Sequence, residues 1–156
     1  IGTALVVGWR GQIAAAGVHN GLTSVSDLGS SFAEVAGIRK PSTMVGRSLL
    51  PVLKDPSQTG REFIFAERNW HNADEHIRCV RTRTHKLITN AYLDRPFGHP
   101  ADCSRSPSWK DLLAARAGGR ITGDQLQIFR VPRPAVELYN AARDPGEFHK
   151  IGRAHV

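Results

Sequence analysis

The sequence is poor in cysteine and lacks any long hydrophobic segment. Only two cysteines, Cys79 and Cys103, occur among its 156 residues, too few for a disulfide framework or for a zinc site built from four thiolates. No apolar run approaches the ~18 residues that a membrane-spanning helix requires. Hydrophobic residues make up 40% of the chain and charged residues only 22%, a balance that argues against disorder. The composition therefore indicates a folded domain without a membrane-spanning helix.

Short motifs that carry a complete catalytic or cofactor site are also absent. The chain has no nucleophile elbow G-x-S-x-G, no glycine-rich phosphate or dinucleotide loop, no H-E-x-x-H and no C-x-x-C. Cys79 lies within a predicted strand, where a free thiol usually fills space, and nothing marks Cys103 as an activated nucleophile. Residue patterns alone thus indicate a basic α+β segment that does not contain a complete set of catalytic residues.

Positive charge is in excess, with 21 Lys and Arg against 14 Asp and Glu and a formal net charge of +7. Part of this charge is concentrated in one predicted hairpin, at Arg78, Arg81, Arg83 and Lys86. Such a cluster could face phosphate or sulfate groups, although a solvated strand face is the more common reason for it. Only Tyr92 is nearby to stack on bases, which argues against nucleic acid. A non-catalytic module that binds sulfated glycan or nucleic acid stays an alternative, with steeply salt-dependent affinity as its signature.

The first part of the chain predicts a buried strand followed by a helix. Thr3–Trp9 is a continuous apolar run, typical of a strand buried on both faces of a parallel sheet. Asp27 stands at an N-cap position before an amphipathic helix over residues 28–36, and Gly37 provides its end. The apolar face of this helix consists of Leu28, Phe32, Val35 and Ala36. Residues 41–61, which contain three prolines, are predicted to be a connector.

Residues 62–149 predict a separate subdomain built on a small antiparallel sheet. Alternating or β-branched segments indicate strands near 63–65, at 77–82, 85–90 and 136–139. A helix is predicted to begin at Ser106 or Ser108 and to end at Gly118 and Gly119.

The densest group of polar residues follows the first of these strands. His71 and His76 bracket several carboxylate and amide side chains, but the H-x4-H spacing does not place both imidazoles on one helical face. As a metal site this is a weak candidate, and a polar loop between strands is the more common interpretation. The stretch from Glu67 to His71 could instead form the wall of a polar pocket, because loops that follow strands often carry function.

The two ends of the chain predict a truncated natural protein. Residue 1 is Ile, and the chain opens directly into an apolar run with no visible targeting signal. Residues Ile151–Val156 match, in order, the translation of a widely used sequencing adapter, ATC GGA AGA GCA CAC GTC, and Lys150 is compatible with the two bases before it. We therefore expect the natural sequence to end near His149, with residues 150–156 as adapter read-through. Without Lys150 and Arg153, 19 basic residues would face 14 acidic ones, a net charge of +5.

Read in order, segments that cover about residues 1–149 resemble the C-terminal part of the sulfatases. Gly46–Pro51 matches the motif G-x-S-L-L-P, and residues 65–71 resemble E-R-x-x-H. Arg10 replaces the proline of the family's W-P-G turn, and Lys150 stands where the family commonly has Asn. Residues 106–113 and 132–139 resemble the heparan N-sulfatase (sulfamidase) branch. Each motif alone is modest, whereas their shared order is a strong indication.

The resemblance implies an alkaline-phosphatase-like α/β/α fold. Residues 1–40 would supply the last strand and helix at the edge of its main domain, and residues 62–149 a C-terminal α+β subdomain. It also implies hydrolysis of sulfate esters or N-sulfates of sugars by a formylglycine and a calcium ion. The family's formylglycine signature, calcium carboxylates and catalytic Lys and His lie upstream of this segment. No catalytic residue or metal ligand is therefore expected in this chain, which alone should be inactive.

The resemblance further implies a place for substrate contacts. In such enzymes the C-terminal subdomain leans over the active-site cleft, so we expect His71, and then Glu67, to contact a sulfated sugar or glycosaminoglycan. The missing N-terminal catalytic portion of the same chain would be the main protein partner, in a periplasmic, extracellular or lysosome-like location. A phosphate-acting member of the same superfamily is the alternative, and an upstream Thr or unmodified Ser nucleophile would distinguish it.

Overall fold

A computed structural model describes residues 4–13, 17–98 and 101–152. The chain divides into two units, Ile1–Ile64 and Phe65–Val156. Thr3 of the predicted first strand and residues 153–156 of the expected adapter segment lie outside the described residues. No helix within the described ranges is long and apolar enough to cross a bilayer.

The first unit contains the helices α1 (Ser26–Val35) and α2 (Leu50–Lys54). Helix α1 begins two residues earlier than predicted, so its N-cap is Val25, which forms no side-chain cap, and the predicted N-cap role of Asp27 is wrong. Asp27 instead lies in the first turn, where donors from distant segments bind its carboxylate. The predicted end is confirmed, because Gly37 adopts a left-handed φ of +66° directly after the helix.

The buried face of α1 is polar, which reverses the predicted orientation of the helix. Asp27, Ser30 and Ser31 are buried, whereas Phe32 is 68% exposed and Val35 is 47% exposed. The Ser31 hydroxyl donates to the Asp27 carbonyl oxygen at 2.7 Å and accepts from the Leu49 N–H at 2.8 Å. Hydrogen bonds to the segment before α2 thus hold the helix by its polar side, and the predicted apolar core face lies at the surface.

The apolar run at residues 4–9 does not form the predicted strand. Leu5 is 51% exposed and Val6 is 93% exposed. A strand that is buried on both faces needs hydrogen-bonded neighbours and covering layers. Among the described residues before β1, the β-pairing that the structure shows is a single bridge between Leu22 and Arg61.

The second unit is organised by a four-stranded sheet, which confirms the predicted small antiparallel sheet. Its strands, adjacent in chain order, are β1 (Phe63–Trp70), β2 (Asp74–Thr82), β3 (Lys86–Asn90) and β4 (Val136–Tyr139). Strand β3 pairs in antiparallel register with both of its neighbours, so that Ile88 lies opposite Cys79 on β2 and Glu137 on β4.

The helical segments of the second unit lie between β3 and β4. Helix α3 (Pro107–Ala117) begins after Ser106, whose hydroxyl accepts from the Trp109 N–H at 3.2 Å, and it is followed by Gly119 with φ +66°. These are the ends predicted from the sequence. Helix α4 (Gly123–Leu126) follows, with a capping box formed by Thr122 and Gln125.

Candidate functional site

Glu67 lies in the middle of β1 on an accessible face of the sheet. Because β1 continues to Trp70, the prediction that a loop begins directly after residue 65 is wrong. Oε2 of the Glu67 carboxylate is 3.3 Å from Nε of Arg78 on β2, and the Glu67 side chain is 62% exposed. An ion pair this exposed contributes little to the stability of the fold. The pair borders a shallow groove of about 320 Å³ whose lining includes Phe65, Val80, Leu87 and Thr89.

His71 lies at the tip of the β1–β2 hairpin, the first residue of the turn at residues 71–73. Its backbone N–H donates to the Ala73 carbonyl oxygen at 3.2 Å, and its side chain is exposed. Asn72 takes a left-handed φ of +65°, which asparagine tolerates better than most residues, and its Oδ1 accepts from the Ala101 N–H at 3.0 Å. The turn is therefore held by its own hydrogen bonds and by a second loop, and it displays the imidazole to solvent.

The structure does not bring His71 and Glu67 together into one small pocket. The two residues are four positions apart along nearly extended backbone, a separation of about 13 Å between their Cα atoms. Among the described residues, no group of three His, Cys, Asp or Glu side chains is placed to hold a metal ion. The calcium ion implied by the resemblance consequently does not fit the described part of this chain.

Arg68, which falls in the stretch predicted to form a polar pocket wall, points to the opposite face of the sheet from Glu67. Its guanidinium forms an ion pair with Glu75 and donates to the Gly98 carbonyl oxygen at 3.1 Å. It also lies 4.6 Å above the centre of the Phe97 ring. The alternation of side chains along a strand, a period of two, is the sequence signal that separates Arg68 from Glu67.

A buried polar network, not predicted from the sequence, joins β3 and β4 on this same face. Asn90 donates to Glu137 Oε1 at 2.8 Å and accepts from Arg133 at 2.7 Å. The Tyr139 hydroxyl donates to Glu137 Oε2 at 2.6 Å, and Lys150 Nζ lies 3.2 Å from the same oxygen. The network links strands that are distant in sequence, so no local pattern reveals it.

The protonation states within this network follow from burial and hydrogen bonding. Burial alone would raise the pKa of Glu137, but hydrogen bonds from Tyr139 and Asn90 outweigh it and lower that pKa. Burial, and then the hydrogen bond to Glu137, raise the pKa of Tyr139. Burial likewise raises the pKa of the Cys79 thiol, which disfavours a thiolate nucleophile. The charged side chains of this network are therefore held by hydrogen bonds and ion pairs within the fold.

A second buried carboxylate, Asp27, organises the first unit. It accepts from the N–H groups of Ser24 and Arg47, each at 2.8 Å, and from Nε of Arg61 at 3.1 Å, with a second bond from the Arg61 guanidinium. Burial would raise the pKa of Asp27, but the Arg61 and backbone hydrogen bonds outweigh it and lower the pKa. Asp27 thereby ties α1 to two separate loops. In the second unit, the hairpin tip and the groove beside Glu67 are accessible to a ligand.

Two solved structures are similar to this chain in backbone path. One is a protein in complex with its substrate D-glucosamine-2-N,6-O-disulfate, at 22% identity, with 80% of this chain and 19% of that chain covered and a TM-score of 0.48. The other is a 2-O GAG sulfatase, at 19% identity, with 82% and 20% covered and a TM-score of 0.46.

Comparison of amino-acid sequences identifies a relative and a family for this chain. The ulvan-active sulfatase of Formosa agariphila is 26% identical over 153 residues, which cover 97% of this chain and 25% of that protein. The chain thus spans about a quarter of the length of this curated relative. The family model for N-sulphoglucosamine sulphohydrolase, C-terminal, matches residues 1–107, more than half of the 156 residues. The chain therefore belongs to the sulfatase family, in the group defined by the C-terminal region of N-sulphoglucosamine sulphohydrolase.

Proposed function

We propose that the chain is the C-terminal region of a sulfatase that hydrolyses sulfate esters or N-sulfates of sugars. The observation that carries this proposal is the family match over residues 1–107, since the family is named for the hydrolysis of an N-sulfated glucosamine. The likeness to the ulvan-active sulfatase extends along 97% of the chain and supports the same activity class. On this proposal, the fold of the parent enzyme is alkaline-phosphatase-like, as the family resemblance implies.

This chain would contribute substrate contacts, while the nucleophile and the metal belong to the remainder of the parent enzyme. The described residues include no three-ligand group for a metal, and burial raises the pKa of the Cys79 thiol. On this proposal, the formylglycine and the calcium ion of the reaction belong to the part of the parent enzyme that this chain does not include.

His71 is the residue that we propose for contact with the sulfated sugar. The turn fixes its backbone and leaves the imidazole exposed, so a ring N–H can donate to a sulfate or hydroxyl oxygen. Glu67 is proposed as a second, weaker contact, because its carboxylate already has Arg78 as an ion-pair partner. The separation of about 13 Å along the strand implies that the two residues would contact different parts of a saccharide.

Replacement of His71 by alanine in the full-length parent enzyme is expected to lower kcat/KM for the sulfated saccharide about tenfold, or about 1.4 kcal/mol of transition-state stabilisation. Turnover of a small aryl sulfate, which carries no sugar for His71 to contact, should be unchanged. Steady-state kinetics on both substrates measures the difference.

The matched control is His85→Ala. His85 is an exposed histidine in the turn between β2 and β3, at the other end of strand β2. Its replacement should leave both activities at the wild-type level. If the His71→Ala variant keeps the wild-type kcat/KM for the saccharide, the proposed contact between His71 and the substrate is wrong.

A further inference from the structure

A buried ion pair joins the two strands of the hairpin that displays His71. Arg68 on β1 and Glu75 on β2 pair across the hairpin, three residues before and four residues after His71. Glu75 is only 6% exposed. A buried charge is unfavourable unless it is paired and hydrogen-bonded, so the pair holds the two strands in one arrangement close to the turn.

The same two side chains bind a loop that follows β3. The Gly98 N–H donates to Glu75 Oε1 at 2.9 Å, and the Gly98 carbonyl oxygen accepts from the Arg68 guanidinium at 3.1 Å. The ion pair therefore binds both polar groups of one backbone residue. A Cβ atom at residue 98 would overlap the same Glu75 oxygen, so a larger residue would displace Glu75 from this contact. We call Arg68, Glu75 and Gly98 the clamp.

The loop is attached to the hairpin at two further points. The centre of the Phe97 ring lies 4.6 Å from the Arg68 guanidinium, next to the clamp. At the tip of the hairpin, the Ala101 N–H donates to Oδ1 of Asn72 at 3.0 Å. The loop thus contacts the hairpin both before its turn and within the turn itself.

We propose that the clamp is a positioning device for His71, which fixes the direction in which the hairpin tip presents the imidazole to the sulfated saccharide. The proposal rests on the proposed function of His71 as a substrate contact. The imidazole is exposed, so the backbone of the turn sets its place relative to the substrate. A misplacement of about 1 Å can lower a rate about 100-fold, and the attachment of the turn is therefore important for the reaction.

Stability alone does not account for the ion pair. Removing two charges from water costs about as much as their attraction returns, so a buried ion pair stabilises a fold little compared with an apolar pair of similar size. The pair instead favours a single geometry, because Arg68 binds Glu75 and Gly98 at the same time. Arg68 and Glu75 are thus positioning residues that act through His71.

The test replaces both charges of the pair in the full-length parent enzyme, as Arg68→Met with Glu75→Leu, so that no buried charge is left alone. Because apolar replacement of a buried ion pair is often neutral for stability, the fold should be kept. We expect kcat/KM for the sulfated saccharide to fall about tenfold and turnover of a small aryl sulfate to stay unchanged. The matched control, Arg95→Met with Asp94→Leu, removes an exposed ion pair and should leave both activities unchanged.

The decisive measurement repeats the pair variant in the His71→Ala background. If the clamp acts through His71, the combined loss of kcat/KM for the saccharide should stay near tenfold, as in His71→Ala alone. A combined loss of about 100-fold would show that the pair acts independently of His71 and would overturn the proposal. Wild-type kcat/KM in a folded pair variant, or an equal loss with the aryl sulfate, would overturn it as well.

Hydrogen exchange of the turn amides at residues 71–73 provides a readout that does not depend on turnover. These amides should exchange about tenfold faster in the pair variant than in the wild-type parent. An unchanged exchange rate would contradict the role of the clamp. If the pair variant does not fold, the same losses are expected in Asn72→Gly, which tolerates the left-handed φ and removes the contact with Ala101.

The two proposals fail in different ways. If His71→Ala itself leaves turnover of the saccharide unchanged, the proposed substrate contact is wrong, and faster exchange in the pair variant would keep only the attachment of the turn. If His71→Ala lowers kcat/KM for the saccharide and the pair variant does not, the clamp alone is rejected.

Discussion

Replacement of Asp27 by alanine is expected to lower the free energy of unfolding of the chain by about 3–5 kcal/mol, the usual cost of removing one partner of a buried ion pair. Asp27 is only 1% exposed and accepts hydrogen bonds from Ser24, Arg47 and Arg61. The variant would leave the Arg61 guanidinium and two backbone N–H groups without their acceptor. Urea denaturation followed by tryptophan fluorescence measures the loss.

Asp55→Ala is the matched control for this prediction. Asp55 is an exposed carboxylate of the same unit and accepts hydrogen bonds only from its close sequence neighbours Ser57 and Gln58 in the described structure. Its removal should change the denaturation midpoint little. A loss below about 1 kcal/mol in Asp27→Ala would contradict the role assigned to the buried carboxylate.

The same residue predicts a dependence of stability on pH. The folded state lowers the pKa of Asp27, because the hydrogen bonds from Arg61 and from two backbone N–H groups outweigh the opposing effect of burial. The contribution is therefore complete above the unfolded pKa of about 3.9 and is lost as the pH falls through the lower, folded pKa. The difference in unfolding free energy between the wild type and Asp27→Asn should shrink across this acid range. A constant difference from neutral pH to below the folded pKa would contradict the linkage.

The second large effect is expected from Gly46→Ala, which should destabilise the chain by about 3 kcal/mol or prevent folding of the first unit. Gly46 is buried against the first turn of α1. A Cβ atom at this position would lie 2.7 Å from both the Ser26 carbonyl carbon and the Ser30 hydroxyl, and closer still to the Ser26 carbonyl oxygen. Because most of these atoms belong to helix backbone, the clash requires α1 to move.

Gly8→Ala is the control, since no atom lies within 4 Å of a Cβ built at Gly8. Thermal denaturation of both variants, monitored by circular dichroism, compares the two glycines directly. Similar midpoints for Gly46→Ala and Gly8→Ala would show that α1 does not approach the segment before α2 as closely as described.

The second unit is where sequence patterns were most informative. The order of the four strands and the ends of α3 agree with local signals, such as the Ser106 cap, although β1 continues to Trp70 through residues that were predicted to be a loop. These signals depend on residues within a few positions of one another. The expected contact residues His71 and Glu67 are both accessible, but their roles stay a prediction.

The first unit shows where local patterns fail. The spacing of Leu28, Phe32 and Val35 correctly indicated a helix, but not which side of it is buried. The apolar character of residues 4–9 was read as a buried strand, yet those residues form no strand in the described structure. In both cases the apolar side chains are of the kind that pack against another apolar element. The described part of the first unit leaves them exposed instead.

Residue order along the chain accounts for the helices α1 and α3, the presence of the four strands, the ordered motifs and the family, because each of these depends on short segments. Long-range contacts account for the rest. The Asp27–Arg61 pair selects the polar side of α1 for burial, and the alternation along β1 directs Arg68 and Glu67 to opposite faces of the sheet. The network around Glu137 joins β3 to β4 across more than forty residues of sequence. Such contacts form only when the folded backbone brings distant residues together, so no short stretch of sequence can specify them.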